Sequence, residues 1–199
     1  YKGCRVGQRR IDADNHPRTR KVPTGEKATL VKGVFDSVAS RYDLMNDLMS
    51  GGLHRLWKDD FIALLNPPES DRPFKVLDVA GGTGDIAFRI AGAGGSGTHV
   101  TVADISENMV REGARRSATE PSGPKCSFTV GTAEDLAFPD NSFDAVTCIN
   151  TLHNLKRPDL VRALRELSRV ARDDKVYVQV DGFDRVFAVA DEDLERSDD

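Results

Sequence analysis

The chain has 199 residues, 39% of them hydrophobic and 30% charged, which is the length of one ordinary domain with enough apolar side chains for a packed core. That composition excludes wholesale disorder, and the lack of any run of about 18 apolar residues argues against a membrane span. A formal net charge of -4 excludes a generally basic surface that coats nucleic acid.

Residues 1–27 read as an irregular basic arm, with eight Lys and Arg against three acids and no apolar period. Such an arm is either a solvated tail or an interaction segment. Its arginines, and a start at Tyr1, would suit the remnant of a mitochondrial presequence. The domain proper is expected over 28–199. Within it, Leu30, Val34, Val38, Tyr42, Met45 and Met49 recur at helical spacing. After Ser50-Gly51-Gly52 the period resumes at Leu53, Leu56, Trp57, Phe61, Leu64 and Leu65, and Asn66-Pro67-Pro68 stops it. Residues 28–65 are therefore one amphipathic helical unit.

Residues 74–180 alternate strand and helix. Strands are predicted at Lys75–Ala80, His99–Ala103, Ser127–Val130, Ala145–Ile149 and Val176–Val180. Helices are predicted at Asp85–Ala91 and Glu107–Arg116, and a third begins at Pro158. Alternation of this kind predicts an α/β fold with a mostly parallel sheet covered on both faces. Residues 181–199, with eight acids against two arginines, read as an acidic tail. Cys4, Cys126 and Cys148 form no close pair, and His16, His54, His99 and His153 have no metal-ligand spacing, so free thiols and no metal site are expected.

The sharpest feature is Val76-Leu77-Asp78-Val79-Ala80-Gly81-Gly82-Thr83-Gly84-Asp85. An apolar strand runs into small residues and then a helix, so backbone can approach a ligand closely beside free N–H groups. Gly82-x-Gly84-x-x-Ala87 also fits a loose dinucleotide fingerprint, which on its own is weak. Asp78, however, lies before the glycines, where an acid can meet the ammonium of an amino-acid ligand directly or through water. S-adenosylmethionine has both an ammonium and a carboxylate at that end. Asp104, 20 residues after Gly84, ends the second strand, where a carboxylate can accept both ribose hydroxyls; alone, it could equally be an acid near a helix N-cap. Ile105 could then pack on the adenine face. Thr132 and Ala133, after the third strand, bring backbone amides and a hydroxyl to the same edge. The cofactor residues expected from this pattern are Asp78, Gly81, Gly82, Thr83, Gly84, Asp104, Ile105, Thr132 and Ala133.

These residues resemble the class I S-adenosylmethionine-dependent methyltransferases, and one branch more closely. The segment Tyr42-Asp43-Leu44-Met45-Asn46, followed by Ser50, His54 and Trp57, is similar to the signature of the ubiquinone/menaquinone biosynthesis C-methyltransferases. Leu77–Asp85, with Ala80 where most methyltransferases have glycine, and Ala133–Asp144 continue the likeness, which covers about residues 25–147. The resemblance implies a Rossmann-like methyltransferase sheet with N-terminal helices, S-adenosyl-L-methionine as cofactor and a polyprenyl benzoquinol or naphthoquinol as substrate. It also implies that 28–65 lids the cofactor cleft, with Tyr42 in contact, although Tyr42, Met45 and Met49 at helical spacing also suit core packing. A quinol substrate further implies peripheral contact with a membrane or a quinone-biosynthesis complex, at the matrix face of the mitochondrial inner membrane or in a bacterial cytoplasm.

Departures from the family follow the fourth strand. Phe-Gly-(Leu or Ile)-Arg-Asn is usual there, and this chain has Asn150-Thr151-Leu152-His153-Asn154. Ile149 stands where a cofactor-contacting Ser is usual, and Arg172-Asp173-Asp174-Lys175 replaces a basic-Pro-Gly-Gly turn. His153 thereby takes the place of an Arg implicated in arranging deprotonation, and His153 and Asn154 are the expected catalytic pair; a surface histidine after a strand is the plainer alternative. The family also continues into a helical insertion and closing hairpin, so an incomplete set of C-terminal strands is expected. These departures keep open a non-catalytic scaffold on the same fold, or a methyltransferase for another substrate. Little favours nucleic acid, since only the basic arm points that way.

Overall fold

A computed structural model of the chain describes residues 53–149, 151–173, 175–179 and 186–188. The basic arm, most of the helical unit with Tyr42, and most of the acidic tail lie outside the described residues. Helix α1 (Leu53–Leu65) leads into β1 (Phe74–Val79), α2 (Asp85–Ala93), β2 (Thr98–Asp104), α3 (Glu107–Ser117), β3 (Cys126–Val130), β4 (Ala145–Ile149), α4 (Arg157–Val170), β5 (Val176–Gln179) and β6 (Val186–Ala188). Single 3-10 turns occupy Gly123–Lys125 and Leu152–Asn154.

The six strands lie in the order β3-β2-β1-β4-β5-β6. Neighbours pair in parallel except β5 and β6, where Val178 stands opposite Phe187 in an antiparallel pair. The chain leaves β1 toward β2 on one side and later returns to place β4 on the other. The order therefore reverses between β1 and β4, where open α/β sheets bind ligands beyond their strand ends. Strand β6 lies within the expected acidic tail; Val186-Phe187-Ala188 is too short to read as a strand until β5 offers it an edge.

Alternation along the strands sorts the core into two layers. Leu77, Val79, Val146 and Cys148 face Ala163, Leu167 and Val170 of α4. Val76, Val100, Val102 and Ala145 face Phe61 and Leu65 of α1 and Ile86, Ala87 and Ile90 of α2. Phe61 meets Tyr177 of β5 edge to face, with ring centres 6.4 Å apart, which anchors α1 across the sheet. Helix α1 stops where expected, at Asn66, whose φ of 47° takes the left-handed conformation that asparagine tolerates. Lys125 closes the far end of α2 by donating to the carbonyls of Ala91, Gly94 and Gly95 at 2.9–3.0 Å.

Strand β1 ends one residue earlier than predicted, because Ala80 turns to a φ of 55° and leaves the extended conformation. Its N–H still reaches the Ala103 carbonyl at 2.7 Å, so the ladder survives while the chain direction changes.

Phe128 of β3 is the spacer between the sheet and two helices. It packs 5.9 Å from the Phe88 ring, and its ring edge lies against Gly84 and Gly113. A Cβ on Gly113 would fall 2.2 Å from Phe128 Cε1. Helix propensity favours Ala over Gly by about 1 kcal/mol, whereas overpacking costs about 1–3 kcal/mol. Phe128 is held on both sides, so overpacking wins. Gly113→Ala is expected to lower the urea midpoint with an unchanged m-value, and a raised midpoint would show that the ring has room to move.

Candidate functional site: the glycine turn and the two strand-end acids

The carboxyl ends of β1 and β2 carry the two acids singled out by the sequence, and the fold brings them side by side. Asp104 Oδ2 accepts from Gly82 N at 2.9 Å and its Oδ1 from Ser106 N at 2.8 Å. Ser106 then caps α3, its hydroxyl accepting from Met109 N at 3.3 Å. The Gly131 amide donates to the Asp104 carbonyl at 3.0 Å, so residue 104 also holds the start of the loop bearing Thr132.

The turn itself is tightly specified. Gly82 and Gly84 have φ of 58° and 85°, and Gly84 N donates to Gly81 O at 2.9 Å. Gly84 also stands at the N-cap of α2 without a side-chain cap, so the first amides of that helix face whatever occupies the turn. Lys58 and Arg89 approach Asp85, the first residue of α2, at 2.7 and 3.5 Å. Burial pushes the Asp85 carboxyl up, but the Lys58 hydrogen bond and the surrounding cations outweigh it, and the net shift is downward.

Asp78 lies beneath the turn and is 1% exposed. Its Oδ1 accepts from the Thr147 hydroxyl at 2.8 Å, while Oδ2 is buried with no hydrogen-bond partner. A Cβ on Gly81 would lie 2.5 Å from that Oδ2, so only glycine lets the turn close over the acid. Burial raises the Asp78 carboxyl to about 7, opposed by the Thr147 hydrogen bond and reinforced by the charges of Asp104 and Asp85. Thr147 was not anticipated. Its one signal is a polar side chain in the middle of an otherwise apolar strand, and register pairs it directly with Asp78.

The remaining expected residues divide. Ile105 is 57% exposed beside Asp104. Thr83 is buried, and its hydroxyl accepts from Arg116 Nη1 at 3.0 Å. The Thr132 hydroxyl is tied to the Glu134 carboxylate and accepts from Glu134 N at 3.2 Å. Ala133 is buried in the core. His153 and Asn154 fall in the 3-10 turn just beyond β4, held by Asn154 N to Thr151 O and Leu155 N to Leu152 O, both at 3.0 Å, with Leu152 buried beneath. Ile149 packs against the α1–α2 layer. Asp173, in the altered turn before β5, adopts a φ of 55°.

The strand order, glycine turn and paired strand-end acids define a Rossmann-like methyltransferase of the S-adenosylmethionine-dependent class. The antiparallel β6 at the edge separates this sheet from an all-parallel dinucleotide-binding one. A solved phosphoethanolamine N-methyltransferase of Haemonchus contortus, crystallised with phosphoethanolamine and S-adenosylhomocysteine, shares the fold with a TM-score of 0.61. It is 18% identical over 77% of this chain and 31% of its own.

The chain belongs to the ubiE/COQ5 methyltransferase family, whose model matches residues 23–182. The match runs past the first four strands through β5, so the departures at residues 149–154 and 172–175 lie inside the family domain. A ubiquinone/menaquinone biosynthesis C-methyltransferase UbiE of a Bradyrhizobium species is 50% identical over 88% of this chain and 72% of the relative. One of Rhodopseudomonas palustris is 56% identical over 77% of this chain and 60% of the relative. The chain therefore spans between three-fifths and three-quarters of the length of these relatives. Both are bacterial, which favours a bacterial setting and gives the mitochondrial expectation no support.

Two outcomes follow from the acids. Asp104→Ala is expected to weaken S-adenosylmethionine binding by roughly 1.5–3 kcal/mol, the scale of charge-assisted hydrogen bonds lost; unchanged affinity by calorimetry would remove Asp104 from the site. Asp78 has a folded value of about 7 against an ordinary 3.8, so between these pH values the folded protein holds a proton that the unfolded chain has released. Its contribution to stability is fully present below the lower value and is lost as pH rises through the upper one, at up to about 1.4 kcal/mol per pH unit. Asp78→Asn should abolish that part of the slope in denaturation midpoints between pH 4 and 8. Parallel pH profiles for wild type and variant would contradict the assignment.

Proposed function

We propose that this protein transfers the methyl group of S-adenosylmethionine to a ring carbon of a polyprenyl benzoquinol or naphthoquinol, in ubiquinone or menaquinone biosynthesis. The observation that carries the reading is the Asp104–Gly82 clamp between the carboxyl ends of β2 and β1, beside the switch point, in a chain of this family. The cofactor fits the residues present. Gly82 has open space where a Cβ would stand, the first α2 amides lack a side-chain cap, and Asp78 keeps one buried oxygen unpartnered beneath the turn.

Asp104 would take the ribose hydroxyls, Ile105 the adenine face, the backbone at Thr132-Ala133 the adenine rim, and the Gly81–Gly84 turn the amino-acid end, with Asp78 below contributing negative charge toward the ammonium. Tyr42 is proposed to contact the cofactor from the helical unit. The bound cofactor supplies an electrophilic methyl on a sulfonium sulfur. The protein must hold that methyl in line with a ring carbon made electron-rich by its phenol oxygens, in a site that excludes water. A base must then take the proton that the carbon loses as the new bond forms.

His153 is assigned that proton, directly or through a water, and Asn154 orients the ring or the water. Both follow β4 at the switch point, just beyond the carboxyl end of the strand. Histidine is the side chain whose proton affinity lies nearest neutral pH, so it can accept and release the proton each turnover. No helix among the described residues is long and apolar enough to cross a membrane. A lipid-tailed quinol is therefore proposed to be reached by peripheral membrane contact or through a quinone-biosynthesis complex, in a bacterial cell.

The test is transfer of labelled methyl from S-adenosylmethionine to a short-tailed demethyl quinol, with mass spectrometry locating the new methyl on carbon. Wild type is expected to methylate the ring, and His153→Ala to lower turnover by about 10²–10⁴-fold with cofactor affinity unchanged. Cofactor binding without any quinol methylation would overturn the reaction. Near-normal turnover of the variant would remove His153 from it.

A further inference from the structure

Two arginines end α3, and they behave differently. Arg115 points into solvent and pairs with Glu112, one helical turn back, at 2.7 Å, as surface arginines do. Arg116 turns inward, its side chain 21% exposed. Its guanidinium carbon lies 5.3 Å from the centre of the Phe88 ring, and Nη2 reaches Glu120 at 3.4 Å. Nη1 donates to Thr83 Oγ1, inside the glycine turn, at 3.0 Å. A charge for the helix C-terminus is already supplied by Arg115, so the macrodipole does not explain why a second arginine spans from α3 to a loop 33 residues earlier.

The chemistry of the threonine hydroxyl gives the contact a direction. Such a group has one hydrogen and two lone pairs. Arg116 occupies a lone pair, so the hydrogen must point away from the guanidinium, and among the described residues none accepts it. A hydroxyl that accepts from a cation is also the stronger donor, because successive hydrogen bonds polarise one another. The group that would take this hydrogen is an acceptor lodged in the turn. The uncapped first amides of α2 call for the same kind of partner, an anion.

We propose that Arg116 is a positioning residue for the cofactor: it holds Thr83 so that the hydroxyl hydrogen is presented to the cofactor's carboxylate. The inference rests on the reading that the glycine turn binds the amino-acid end of S-adenosylmethionine, and it adds a residue that touches no reacting atom. Phe88, itself backed by Phe128, gives the guanidinium a shelf, so the hydroxyl is oriented before the cofactor arrives. Because the carboxylate is the same before and after methyl transfer, substrate and product should be held alike. The effect of losing Arg116 thus belongs in KM rather than kcat.

The experiment compares S-adenosylmethionine with decarboxylated S-adenosylmethionine, which lacks only the proposed acceptor, by calorimetry on wild type, Arg116→Ala, Arg116→Lys and Thr83→Val. Arg116→Ala is expected to weaken S-adenosylmethionine about tenfold and leave the decarboxylated ligand unaffected. Arg116→Lys should recover part of the loss, and adding Arg116→Ala to Thr83→Val should cost nothing more. In the methyl-transfer assay, KM for the cofactor should rise in Arg116→Ala with kcat retained. Equal affinity of wild type and Arg116→Ala overturns the proposal, as does equal weakening of both ligands, which is what a merely structural role would give. Should Arg116→Ala not fold, Thr83→Val alone decides: it must weaken the carboxylate-bearing ligand selectively, and failure to do so overturns the proposal. Wild type that binds neither ligand overturns the cofactor reading of the turn and this inference with it, whereas wild type that binds while the variants match it overturns this inference alone.

Discussion

One carboxylate holds the carboxyl edge of the sheet together. Asp104 accepts from an amide in the turn after β1 and from an amide at the start of α3, while its own carbonyl receives Gly131 from the loop after β3. The turn it clamps contains Ala80, Gly82 and Gly84, all at positive φ. Such backbone persists only where its surroundings over-determine it, and for Ala80 it carries a real steric cost. Three separate loops therefore share one anchor, and their geometry is set before any ligand arrives. That order matters for binding, because a site already rigid spends little of the contact energy on ordering itself.

The two acids at adjacent strand ends show how burial divides similar residues. Asp104 is met by two backbone donors, which suits a carboxylate. Asp78 has a single hydroxyl donor and an unpartnered oxygen under Gly81, so burial favours its protonated form. A cation in the turn would reverse that preference. On the proposed reading, Asp78 would respond to an ammonium above it, while Asp104 would hold neutral hydroxyls.

How much of this was legible in the sequence depends on the range of the interaction. Buried parallel strands read as short apolar runs, so β1 to β5 were found within a residue or two, and the acids were located by their place at strand ends. Ala80 ended β1 early because a ring of tertiary hydrogen bonds overrode its local preference. Strand β6 could not be read, since a short apolar run between Arg185 and Asp191 acquires meaning only from the free edge of β5. Arg116 and Thr147 carry no local pattern at all. One is the second of two adjacent arginines and the other a threonine between Val146 and Cys148, and only register and helix packing reveal what they touch. The Thr132 hydroxyl was legible as a candidate, but its engagement by Glu134 two residues on was not.

The distribution of departures from the family follows from the same architecture. On the proposed reading, the cofactor half of the site is built into strand ends and the turn between β1 and α2, where Ala80, Gly82 and Gly84 each donate a backbone hydrogen bond that holds the turn. The residues after β4 sit in a single 3-10 turn held by two backbone hydrogen bonds and one buried leucine, so side chains there can change while the backbone stays. An arginine at that place is always charged and can orient a proton acceptor without becoming one, whereas a histidine can take the proton itself. On the proposed reaction, the exchange of arginine for His153 therefore shifts the base from a group that the protein positions to a group that the protein supplies. The scaffold beneath it, from Asp104 through the glycine turn to β4, needs no alteration to permit that exchange.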